Sequence, residues 1–230
     1  MRKLISVLLL AIVAIPSLSS FADPITVPSG LNPGDQYRLA FVTSTTRDAT
    51  SSDIADYNSF VTTAANSVPA LAALGTTWTA IASTSVNAND NTNTNPDLST
   101  GVPIYNLASG LVADNNLDLW EAAHQAPIDV QENGDLLTGF VWTGTVAGGF
   151  SGGFIPLGGI FGETVSIIGI SDSLNNAWIE FDADSLTNNN HFYAISGILT
   201  AAPEPSSMAL ACLAVAGLAM TAIRKRCRAA

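Results

Sequence analysis

Tyr37-Arg38-Leu39-Ala40-Phe41-Val42-Thr43 alternates along its length and is rich in strand formers, which predicts a first strand. Far downstream, Phe192-Tyr193-Ala194-Ile195-Ser196-Gly197-Ile198-Leu199 is apolar enough to be a central strand pairing back with the first. After the first run, Ser44 to Asp48 reads as a polar turn, and Ser52 as a helix N-cap. Asp53 and Asp56 then fall in the first turn, where the helix dipole favours acids. Ile54, Tyr57, Val61 and Ala64 or Ala65 recur at helical spacing, which predicts a helix from Asp53 to Asn66.

Outward from this frame, Trp78 to Ser83 reads as a second strand, and the Asn, Asp and Thr run Asn87 to Thr100 fits only an exposed loop. Val102 to Leu107 is a short strand or extended segment, and a second helix is expected around Leu117 to Ala123. Phe140-Val141-Trp142-Thr143-Gly144 looks like a strand ending in a turn. The seven glycines of Gly148 to Gly162 suggest a long flexible loop, without the lysine and following helix of a phosphate cradle. Ala177 to Phe181 and a polar loop through Asn190 precede His191 and the last strand. The pattern is α+β.

The order of these pieces resembles the C-type-lectin-like fold, most nearly its endostatin branch. The likeness rests on Leu39-Ala40-Phe41-Val42, Trp78-Thr79-Ala80-Ile81, Val102 to Leu107, Leu119-Trp120-Glu121-Ala122, Val141-Trp142-Thr143-Gly144 and His191-Phe192-Tyr193-Ala194-Ile195. It implies two helices packed on small antiparallel sheets with long polar and Gly-rich loops. The family's disulfides are missing, as are the basic heparin-binding face of endostatin and the Glu-Pro-Asn and Trp-Asn-Asp sugar signatures.

Both ends of the chain read as addresses. Arg2-Lys3, the apolar Leu4 to Leu18 and the small residues of Ser20-Phe21-Ala22 form a signal peptide, with cleavage expected after Ala22 to leave Asp23 as the new N-terminus. At the other end, Pro203-Glu204-Pro205 precedes Ser206 to Ile223, which carries no charge, and then Arg224-Lys225-Arg226-Cys227-Arg228. Eighteen residues as a helix span about 27 Å, enough for a hydrocarbon core, and the basic cluster would stay cytoplasmic. This arrangement resembles the PEP-CTERM sorting signal of Gram-negative bacteria. The resemblance implies a chain handled by the secretion machinery, anchored transiently in the inner membrane with its body periplasmic, and cut by an exosortase for delivery to the cell surface or matrix. The alternative is a plain anchor that is never cut. Residues 23–202 are then one exported domain between the signal peptide (1–22) and the sorting signal (203–230).

That body holds two arginines, Arg38 and Arg47, no lysine and eighteen carboxylates, a formal charge of −16. Such a surface repels nucleic acid and anionic lipid, which excludes both as partners. Cys212 and Cys227 both lie in the sorting segment, so the body depends on its core and not on disulfides. Cys227 is either an acylation site or an ordinary thiol.

Catalytic signatures are sparse. His124 and His191 are the only histidines; His124, after the Trp120 helix, is expected to be exposed, and His191 to hydrogen-bond or face water. No Gly-x-Ser-x-Gly elbow occurs, and zinc ligands are too few. Glu180, Asp182 and Asp184 would share one face of a strand. Asp182 and Asp184 with Asn188 to Asn190, and Asp90 and Asp97 with Asn87 and Asn89, are candidate Ca²⁺ ligands, against a reading as solvated loop acids. No other cofactor is expected. Trp78, Trp120, Trp142 and Trp178 invite sugar stacking, but each has apolar neighbours that favour the core. The expected role is a non-catalytic binding module, with extracellular polysaccharide as a candidate ligand. The alternatives are a surface-layer component without a specific ligand and a hydrolase using Asp or Glu.

Overall fold

A computed structural model of the chain describes residues 26–84, 101–121, 123–151, 155–159 and 162–202. Strand β1 (Gln36–Val42) runs through the middle of the molecule. Its period of two divides the core: Tyr37, Leu39 and Phe41 join one buried cluster, while Ala40 and Val42 join the other. The last long strand obeys the same rule. In β10 (His191–Ser196), Phe192 and Ala194 enter the first cluster, and Tyr193 and Ile195 the second. Such strands, buried on both faces, appear in sequence as apolar runs.

The two strands pair antiparallel, Ala40 opposite Ile195 and Val42 opposite Tyr193. Beyond Ser196 the pairing slips by one residue, so β11 (Leu199–Thr200) sets Leu199 against Tyr37 and Thr200 against Gln36. At the slip, the Ser196 hydroxyl accepts the Leu39 N–H at 2.9 Å and donates to the Gly197 carbonyl at 2.7 Å. A side chain thus stands in where the ladder breaks.

Helix α1 (Ile54–Asn66) covers the first face, burying Tyr57, Val61, Ala64 and Ala65. Tyr57 stacks on Phe192 at 5.0 Å, and Phe60 meets the same ring edge-on. A single-turn helix, α2 (Pro69–Ala72), starts at a proline and leads into β2 (Trp78–Ala80) on the free edge of β10. Strand β3 (Ile104–Asn106) runs parallel to β1 and is flanked by β4 (Leu111–Ala113). The one-turn α3 (Asn116–Leu119) follows, capped by the Asn115 side chain on the N–H groups of Leu117 and Asp118.

On the other side of the sheet, β5 (Phe140–Trp142) runs parallel to the first half of β10. A small hairpin of β6 (Thr145–Val146) and β7 (Phe150–Ser151) separates it from β8 (Val165–Ile170). After a 3₁₀ turn at Asn176–Trp178, β9 (Asp182–Ser185) completes the order β4-β3-β1-β10-β5-β8-β9. Gly169 permits a close crossing here: a Cβ would sit 1.8 Å from the Trp178 carbonyl oxygen.

The α+β class holds, with corrections. The strands form one mixed nine-stranded sheet with parallel pairs, besides the hairpin, where small antiparallel sheets were expected. There are three helices among the described residues, and the Leu117 helix is one turn because the chain bends away after Leu119. The cap of α1 is Asp53, not Ser52: its carboxylate accepts the Ala55 N–H at 2.9 Å, leaving Asp56 as the first-turn acid. The glycine stretch is not one free loop. Leu157 is fully buried, and Gly158, at φ +90°, donates to the Ala49 carbonyl so close to Ser52 that a side chain would collide with it. The expected loop 87–100, the signal peptide with Ala22 and Asp23, the helix 206–223 and the sorting residues from Pro203 to Arg228 lie outside the described residues.

Candidate functional site

Burial separates the aromatic residues into two classes. All four tryptophans are buried, as their apolar neighbours suggested. Trp142 is enclosed in the first cluster, and Phe41 meets Trp78 edge-on at 5.1 Å. Trp120, Trp178 and Tyr193 pack together on the opposite face. Two phenylalanines behave otherwise. Phe140 and Phe181 are 46% and 50% exposed, and their rings lie 6.1 Å apart at 23°.

The sheet explains this pair. Phe140 starts β5 opposite Ile170 of β8, two residue pairs beyond the Trp142–Ile168 pair that is buried in the core. Phe181 is brought alongside because its N–H donates to the Ile168 carbonyl at 2.8 Å. Neither residue is singled out by the sequence. The available signal is position: Phe140 opens its strand and Phe181 stands between two acids. Glu180 and Asp182 flank Phe181 in the chain and are exposed, as is Leu136 at 75%. The result is a half-exposed pair of aromatic rings at the end of the sheet, suited to packing on apolar ring faces.

The expected strand face of Glu180, Asp182 and Asp184 is only partly formed. Asp182 and Asp184 alternate on β9, but Glu180 precedes the strand, and its carboxylate accepts the Ala147 N–H at 2.8 Å. Asp184 holds the following turn together, accepting from Asn188 Nδ2 at 2.7 Å, Asn190 Nδ2 at 2.9 Å and the Ser185 N–H at 2.7 Å. These bonds outweigh partial burial and keep its carboxyl below the usual range. Among the described residues no three His, Cys, Asp or Glu side chains are grouped to hold a metal ion; Asp90 and Asp97 lie outside them.

His124 overturns the expectation of exposure: it is 5% exposed, with its ring 4.5 Å from that of Trp178. The loop folds back because the His124 N–H donates to the Leu174 carbonyl, while Nε2–H donates to the Leu119 carbonyl at 3.0 Å. Nδ1 has no partner, and burial holds the imidazole below its ordinary pKa despite the Leu119 bond and the Asp118 charge. His191 Nδ1–H donates to the Thr43 carbonyl at 2.6 Å, linking β10 to the end of β1. Asp129 is held above the usual carboxylate range, first by burial, with the charge of Asp172 acting in the same direction. Glu132 is buried against Ser44, whose N–H and hydroxyl each donate to one of its carboxylate oxygens.

Residues 201–226 match the model of the PEP-CTERM protein-sorting motif, which implies export, sorting through the membrane to the cell surface and processing by an exosortase. Neither the curated proteins nor the solved structures yield a match to this chain. The lectin-like resemblance is thus without a structural neighbour. Among the described residues no helix is long and apolar enough to cross a membrane.

Proposed function

We propose that the chain is an exosortase substrate whose body, freed from its membrane anchor, serves at the cell surface or in the matrix as a non-catalytic module binding neutral extracellular polysaccharide. The motif at residues 201–226 supports the sorting half of this reading. The exposed Phe140–Phe181 pair supports the binding half. A pyranose presents C–H groups on its faces, which suits exposed aromatic rings such as Phe140 and Phe181. The charge of −16 favours neutral glycans over acidic ones.

Intact mass of the extracellular form tests the sorting half: the product lacks Arg224 to Arg228, and Glu204→Ala blocks its release. Pull-down on neutral and acidic polysaccharides tests the binding half. Retention on neutral material, lost in Phe140→Ala and in Phe181→Ala, supports it. A processed body retained by no glycan is a structural surface component instead.

A further inference from the structure

The chain leaves its fold at a fixed point. Ala201 is 3% exposed; its N–H donates to the Asp35 carbonyl at 2.8 Å, and its carbonyl accepts the Gly34 N–H at 2.9 Å. The sorting motif begins at this same residue, so no spacer separates it from the sheet. From Ala201 to Ser206, where the uncharged run starts, the chain reaches at most about 18 Å when fully extended. A domain of this length is about 40 Å across. While the anchor is in place, one end of the body therefore lies against the bilayer, and the lock on Ala201 decides which end.

That end carries no charge. Residues 26–34, 67–77 and 197–202 contain no charged side chain, in a body of formal charge −16. They meet in space: Gly197 donates to the Thr77 carbonyl at 2.8 Å, and Leu31, Val68 and Leu74 pack on the cluster holding Leu199 and Ala201. Asp35, the adjoining acid, spends its carboxylate on the backbone N–H and Nδ2 of Asn32. Val27 and Ile198 project there, 45% and 59% exposed.

We infer that this uncharged end is a membrane-facing surface, seated on the lipid headgroups for as long as the sorting segment anchors the chain. The inference rests on the anchored precursor proposed above. Carboxylates held within a Debye length of anionic headgroups are repelled, so an anchored acidic domain does best with its charge-free end inward. Exposed Val27 and Ile198 then enter the interfacial region.

The test uses the full chain with Cys212→Ser and Cys227→Ser, in vesicles of phosphatidylcholine and phosphatidylglycerol without any processing enzyme. Single cysteines are placed by Ile198→Cys at the uncharged end and by Ser52→Cys before α1, and each is labelled with an impermeant maleimide. The expected result is labelling at 198 about tenfold slower than at 52, with the difference abolished by a twelve-residue Gly-Ser spacer after Ala202. Equal rates without the spacer, on a chain that floats with the vesicles, overturn the inference alone. Slow labelling at 198 that persists with the spacer also overturns it. A chain that does not float with the vesicles overturns the anchored reading, and this inference with it.

Discussion

The seam of β1, α1 and β10 and the wing of β5, β8 and β9 belong to one sheet but are held differently. The seam is buried on both faces, and its aromatic rings touch other buried rings. The wing is buried at Val141, Trp142 and the middle of β8 but ends in exposed Phe140 and Phe181. Burial on both faces leaves side chains no freedom to serve a ligand, whereas a half-open edge sacrifices apolar burial for a usable surface. Stability should therefore concentrate in the seam and binding in the wing.

The strongest challenge to that contrast is Phe192→Ala, which removes the ring between Tyr57 and Phe60. Chemical denaturation should show a loss of about 3–5 kcal/mol. Gly169→Ala tests where the wing is rigid, since the new methyl must displace the Trp178 backbone. A loss of about 1–3 kcal/mol is expected, with the 3₁₀ turn losing hydrogen-exchange protection before the seam does.

Acid probes the loop between the two regions. The imidazole of His124 is held below its ordinary pKa by burial, so the unfolded chain binds its proton first. Its contribution is fully present above the unfolded value of about 6.5 and is lost as pH falls from there through the folded value. The slope is at most about 1.4 kcal/mol per pH unit, and His124→Leu should flatten it in melts across that range. Asp53→Ala removes the cap of α1 and should cost about 1 kcal/mol in the same assay. The smallest stability change belongs to Phe181→Ala, within about 0.5 kcal/mol of the parent, yet glycan retention should vanish. If Phe181→Ala instead unfolds the body, the wing is core and the contrast fails.

The seam was legible in the sequence because its residues obey a period continuously: alternation in β1, helical spacing in α1 and an unbroken apolar run in β10. In the wing only β5 was read as a strand. Val165 to Ile170 is a run without alternation, broken by the glycine that the Trp178 crossing requires. Asp182-Ala183-Asp184-Ser185 has the composition of a loop and becomes a strand through its pairing with β8. The burial of His124 depends on Leu174, fifty residues on, which no local pattern records. Of the proposed binding pair, the residues were visible but their exposure was not, because that is decided by where the sheet ends. The sorting motif was legible because its order along the chain is itself the signal.

The pairing of Gln36 with Thr200 has a kinetic corollary. A chain made from its N-terminus presents β1 early, but the strand that completes its antiparallel edge is delivered last. Contacts so distant in sequence are slow to form and cannot reward any shorter fragment. Interrupted synthesis should therefore leave a protease-sensitive polypeptide at every length short of β10, and cooperative folding should begin only once that final strand has emerged.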